Sequence, residues 1–145
     1  VPNQPMNAAV QLQQLFHEEQ NLYCGARHPL FGAEAKQLTL DRLGAQAHAR
    51  RGYAIATGYG TLFADPPAAT AYSMEGLAHL VLSGRFVSFL PRHYAAQWVD
   101  TGRMRALRPD LVSFGVALCA AHFPVPALSE IARVFRQHLI EAHRG

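Results

Sequence analysis

Between residues 73 and 102 the spacing of apolar positions changes twice, and the changes mark out three elements. Met74, Leu77, Ala78 and Val81 recur at i, i+3, i+4 and i+7, which predicts a helix with one apolar stripe. Ser73 stands ready to cap it by accepting a hydrogen bond from a backbone N–H, and Glu75 complements the positive helix end. Gly84 falls where a helix commonly needs a left-handed residue to stop. Residues 86–90 are apolar at four of five positions, the run expected of a strand covered on both faces. Pro91 opens a second helix, where its missing N–H is tolerated, with Tyr94, Ala95, Trp98 and Val99 on the buried side. Such a unit suits a parallel sheet with crossover helices.

The rest of the chain divides in the same way. Residues 1–5, with two prolines, read as a loop-like entry. Residues 10–16 and 20–25 predict two strands separated by the polar His17-Glu18-Glu19, although Met6, Val10 and Phe16 also permit a helix in the first. His28-Pro29 closes the second strand, because a residue before proline avoids helical geometry. Thr39 can cap a helical turn over 40–43 that Gly44 ends. Residues 47–53 predict a strand, and 54–67, with Gly58, Gly60 and a proline pair, fit a broken short helix or a loop. A short strand over 68–72 leads into the helix after Ser73, and residues 104–107 predict another strand. Residues 112–123 read as a long apolar strand closed by Pro124 and Pro126. Leu128, Ile131, Val134, Phe135, Leu139 and Ile140 define a final amphipathic helix.

Composition narrows the class. A chain of 145 residues that is 50% hydrophobic suits one compact domain and argues against disorder. The net charge of +3 is spread along the chain, without the dense stripe of a nucleic-acid surface. Lys36 is the only lysine. The arginine bias favours carboxylate or phosphate recognition, and genomic base composition accounts for it equally well. The apolar runs are too short to span a bilayer and no signal-peptide pattern opens the chain, so a cytoplasmic protein without a membrane partner is expected. The initial valine suggests a processed or excised piece. Cys24 and Cys119 sit in apolar strand-like runs and read as buried, reduced thiols.

No local pattern points to catalysis, a metal or a cofactor. The eight histidines form no His-x-x-x-His pair and are expected to be exposed or singly hydrogen-bonded. There is no Gly-x-Ser-x-Gly elbow, and Cys24 in an apolar strand, with His28 as its base, would be a poor nucleophile. Residues 52–60 lack the lysine and spacing of a phosphate loop. Tyr72, Phe86 and Phe89, near Arg85, are assigned by their apolar stripes to the core. Ser73 retains two readings: a simple helix cap, or part of a helix N-terminus that presents N–H groups to an anion at the carboxyl end of a strand.

Several stretches resemble a known family. LYCGARHPLF at 22–31, followed by LTLDRLGAQAHARRGY up to Tyr53, is similar to the effector-binding domain of LysR-type transcriptional regulators. AYSMEGLAHLVLSGRFVSFLPRHYAAQWVDTGRMRAL is similar to that family's helix–Gly–strand–Pro–helix unit, and residues 112–143 fit its C-terminal strand and helix. The resemblance implies an α/β, periplasmic-binding-protein-like subdomain with a mixed, mostly parallel sheet flanked by helices. It divides the chain into an entry crossover (1–9), effector-binding subdomain II (10–107) and a strand and helix (108–145) returning to a partly absent subdomain I. The DNA-binding winged helix-turn-helix would lie outside this chain. That return segment would leave an apolar face exposed.

Carried over by position, the pocket wall falls at Arg51, Gly52 and Tyr53, at Ser73 and Met74, and at Asn3 on the crossover. Arg51 would pair with an effector carboxylate, Gly52 would allow close approach and Tyr53 would offer a stacking face; a surface arginine and a core tyrosine are the alternative. The implied partners are a small, anionic effector, DNA through the absent domain, and further copies of the chain in a homodimer or larger homo-oligomer. The rival readings are a solute-binding protein or enzyme on the same scaffold, and a dimerisation fragment.

Overall fold

The computed structural model describes residues 10–52 and 62–143, which fall in two compact units: 19–52 with 62–114, and 10–18 with 115–143. The elements are β1 (Gln11–Gly25), α1 (Leu40–Gly44), β2 (Ala49–Arg51), β3 (Ala69–Ala71), α2 (Met74–Leu82), β4 (Ser88–Pro91), α3 (Arg92–Val99), β5 (Met104–Ala106), α4 (Pro109–Val112), β6 (Phe114–His122) and α5 (Glu130–Ala142).

The larger unit is built around the second half of β1, which pairs antiparallel with β4 (Leu22↔Phe89) on one side and β5 (Cys24↔Arg105) on the other. β2 and β3 pair in parallel, and a parallel bridge from His48 to Val87 joins them to β4. The sheet is therefore mixed. Its inner strands bury both faces, as their mostly apolar runs require. Leu22, Cys24, Val87 and Phe89 enter one core with Leu30, Leu43 and Leu107. Tyr23, Ala49, Leu90 and Met104 enter a second core, which α2 closes with Leu77, Ala78 and Val81. The Ser88 hydroxyl adds a buried hydrogen bond of 2.7 Å to the Ala49 carbonyl, tying β4 to β2.

The predicted punctuation of α2 is present. The Ser73 Oγ accepts from the Gly76 N–H at 3.0 Å, and Gly84 takes a φ of +75° just beyond the helix. A Cβ at Gly84 would also meet the Arg27 Cβ at 2.8 Å and its carbonyl carbon at 2.9 Å. Thr39 caps α1 by accepting from the Arg42 N–H. Pro91 ends β4 and stands as the residue before α3 rather than its first residue.

Four expectations are corrected. Residues 10–16 and 20–25 belong to one strand, because a polar triplet does not interrupt extended backbone where partners continue on either side of it: β6 pairs with β1, as do β4 and β5. Val112 closes the short helix α4 instead of opening β6; Arg108, at φ +48°, turns the chain and Pro109 starts a helical turn. Val99, in the last turn of α3, is 38% exposed. Tyr72 lies outside the core at 79% exposed, since β3 ends at Ala71 and alternation no longer directs the next side chain inward. The expectation for residues 54–61 falls outside the described residues.

In the smaller unit β6 pairs with β1, and α5 starts at a Ser129 cap. Arg136 Nε donates to His122 Nε2 at 2.9 Å, and Phe16 stacks on His143 with ring centres 5.3 Å apart. α5 carries exposed Ile131, Val134 and Phe135.

Gly84→Ala is expected to destabilise the fold by about 1–3 kcal/mol, since the side chain meets both an unfavourable φ and the Arg27 backbone. A urea-unfolding midpoint equal to that of the unaltered chain would contradict this.

Candidate functional site

Parallel pairing in register, Arg51↔Ala71, brings the carboxyl ends of β2 and β3 together. From Ala71 the chain passes through Tyr72 and Ser73 directly into α2, so Arg51, Gly52, Ser73 and Met74 share one end of the sheet. The Gly52 N–H donates to the Ala71 carbonyl at 2.9 Å, extending the ladder by one bond. Tyr53 and Asn3 lie outside the described residues.

Arg51 is the distinctive member. It is 8% exposed, and its Nη2 donates to Gln20 Oε1 at 3.4 Å and to Met74 Sδ at 3.5 Å. Both contacts are long, and a thioether is a weak acceptor. Its Nε is buried without a hydrogen-bond partner. Among the described residues no carboxylate pairs with it. A buried guanidinium with this little compensation is unfavourable in the isolated chain. The surface-arginine alternative is set aside by that burial.

The other members serve shape. Ser73 performs its capping role, and the first N–H groups of the nine-residue helix it opens lie at the same end of the sheet. A Cβ on Gly52 would collide with the Tyr72 ring, so the glycine lets that exposed ring lie across the backbone. Tyr72 thus supplies an aromatic face that the pattern of apolar positions assigned to the core. Gln20 was also missed; its signal is a polar residue heading an otherwise apolar strand segment, where it is only 1% exposed. Its neighbour Asn21 is buried too, donating to Glu19 Oε1 at 3.0 Å, and Asn21 followed by Arg92 holds the Glu19 carboxyl below its ordinary range.

A separate groove of about 820 Å³ in the same unit is lined by Leu40, Asp41, Asp65, Phe89, Leu111 and Phe114 among others. Among the described residues, none of Arg51, Gly52, Ser73 and Met74 lines it, and neither of the buried polar atoms left without a partner, on Asn21 and Arg51, belongs to its lining.

The reactive side chains elsewhere are structural. Burial pushes the Cys24 thiol up to about 11, far from a nucleophile's range, and both cysteines are buried and outside any disulfide. His28 Nδ1 accepts from the Leu30 N–H at 3.1 Å. His48 stacks on Phe63 with ring centres 3.9 Å apart. Neither is exposed, and burial lowers the pKa of both imidazoles.

The family model described as the LysR substrate binding domain matches residues 1–144. The chain belongs to the LysR substrate-binding domain family. It is 35% identical over 112 residues to the HTH-type transcriptional activator BauR of Pseudomonas aeruginosa, covering 72% of this chain and 34% of that protein. The chain therefore spans about a third of this curated relative. Among solved structures of this family's regulatory domains, that of Synechocystis CcmR in complex with 2-PG superposes with a TM-score of 0.73 at 17% identity, covering all of this chain and 72% of that one. The bromide-bound regulatory domain of HypT from Salmonella typhimurium gives 0.67 at 16% identity, covering 94% and 66%. These likenesses establish the periplasmic-binding-protein-like fold implied by the sequence resemblance. Among the described residues no helix is long and apolar enough to cross a membrane.

The buried histidines set a pH dependence. Both bind protons more weakly folded than unfolded, so their contribution is fully present above the ordinary value of 6.5 and is lost as pH falls below it. Urea midpoints are expected to hold above pH 7 and to decline between pH 6.5 and 5 (roughly the histidine titration range), with a shallower decline in His48→Phe. Equal slopes in the two chains would contradict the assignment.

Proposed function

We propose that this chain is the effector-sensing part of a LysR-type transcriptional regulator and carries no catalysis of its own. Residues 10–107 form the effector-binding subdomain, 1–9 the crossover into it, and 108–145 the return strand and helix of the other subdomain. The effector is a small anionic metabolite. One observation carries this reading: Arg51 is a buried cation with an unclaimed Nε–H and, among the described residues, no carboxylate partner, set beside the N-terminus of α2. An oxyanion there would gain a charge-assisted hydrogen bond and relieve the desolvated guanidinium. Gly52, Ser73 and Met74 form the wall around it, with Tyr53 and Asn3 as further contacts. The fold neighbours in complex with 2-PG and bound to bromide support a small bound species as the ligand class.

In the intact protein an N-terminal winged helix-turn-helix binds DNA, and copies of the chain assemble as a homodimer or larger oligomer. Effector binding favours one arrangement of the sensor over another and so changes how the oligomer holds its operator. The protein acts in the cytoplasm.

In the intact regulator, Arg51→Ala is expected to weaken the effector response about tenfold or more, the loss of one charge-assisted contact. Ser73→Ala is expected to weaken it less and to remove about 1 kcal/mol of helix capping. DNA affinity without effector should stay unchanged in both. Reporter induction together with operator-binding titrations checks this, and unaltered induction in both variants would overturn the site.

A further inference from the structure

Arg51 is accompanied by a neutral side chain where a buried cation more often has a carboxylate. Gln20 is 1% exposed and sits on β1 opposite Pro91 of β4. Its Oε1 and the Met74 sulfur both approach the same nitrogen, Nη2, at 3.4 and 3.5 Å. The guanidinium is thereby held from one side, while Nε–H is left without an acceptor. A glutamate at this position would have nearly the same outline but would pair with Arg51 by charge. It would satisfy the cation internally and compete with any incoming anion.

We propose that Gln20 is a positioning and selectivity residue. It orients the Arg51 guanidinium through Nη2 and withholds the negative charge that would neutralise it, reserving Nε–H for the oxyanion of a ligand. The ligand chemistry that follows is an oxyanion able to accept from that Nε–H, a group such as a carboxylate or phosphate that a guanidinium matches. This inference rests on the anion-binding role proposed for Arg51.

The test uses the full chain, acetate as the carboxylate probe, and the ¹⁵N–¹H resonance of the Arg51 Nε–H at pH 7. In the unaltered chain that resonance is expected to shift saturably with acetate. Gln20→Glu is expected to weaken acetate binding at least about tenfold while holding or raising the thermal midpoint, because the new ion pair satisfies the buried cation. Gln20→Leu is expected to weaken it by roughly two- to fivefold and to broaden the Nε–H signal as orientation is lost. A residue that merely supports the fold would lower the midpoint in both variants and leave acetate affinity unchanged.

If Gln20→Glu binds acetate like the unaltered chain while Arg51→Ala does not bind it, the role of Gln20 is overturned and the site stands. If Arg51→Ala binds acetate normally, or the unaltered chain gives no saturable response, the site itself is overturned. Should Gln20→Glu fail to fold, Gln20→Leu decides: normal affinity with an unchanged Nε–H signal refutes the proposal.

Discussion

The larger unit depends on burying the second half of β1 on both faces and both flanks at once. Leu22, Tyr23 and Cys24 are each no more than 2% exposed, and their backbone groups face partners on β4 and β5. A strand in that position must satisfy its N–H and C=O groups within the sheet, since no water reaches them. That requirement fixes the register of β4 and β5. β4 in turn fixes β2 through the Val87 bridge and the Ser88 hydroxyl. The end of β2, where Arg51 stands, is thus set by a chain of pairings that begins at β1.

On the anion-binding reading proposed for Arg51, the site illustrates a tension between folding and binding. A well-packed isolated domain would give Arg51 a carboxylate, or would leave its charge in water. Instead the side chain is drawn against Gln20 and Met74, with weak contacts and one orphaned donor. Local imperfection of this kind is the pattern expected where a fold gives up some stability to recognise something else.

Much of this was legible in the chain because its boundary residues act locally. Ser73, Thr39 and Gly84 work through their own backbone neighbourhood, so their roles followed from position alone. The two-sided burial of β4 followed from a run apolar at four of five positions. What could not be read depended on distant partners. His17-Glu18-Glu19 looked like an interruption because the strands that keep β1 continuous lie far along the sequence. Tyr72 looked like core because alternation says nothing about where a strand stops. For Arg51 the family likeness gave the position, but its burial and its neutral companion arise from β1, 31 residues earlier.

The arrangement of strand lengths has a further consequence. Among the described residues of the larger unit, the sheet is bordered by β3 on one side and β5 on the other, each only three residues long, while the longest strand is enclosed. So short a border offers too few free amides to template a foreign strand. Within the described residues of the larger unit, the sheet is closed to growth by its own margins.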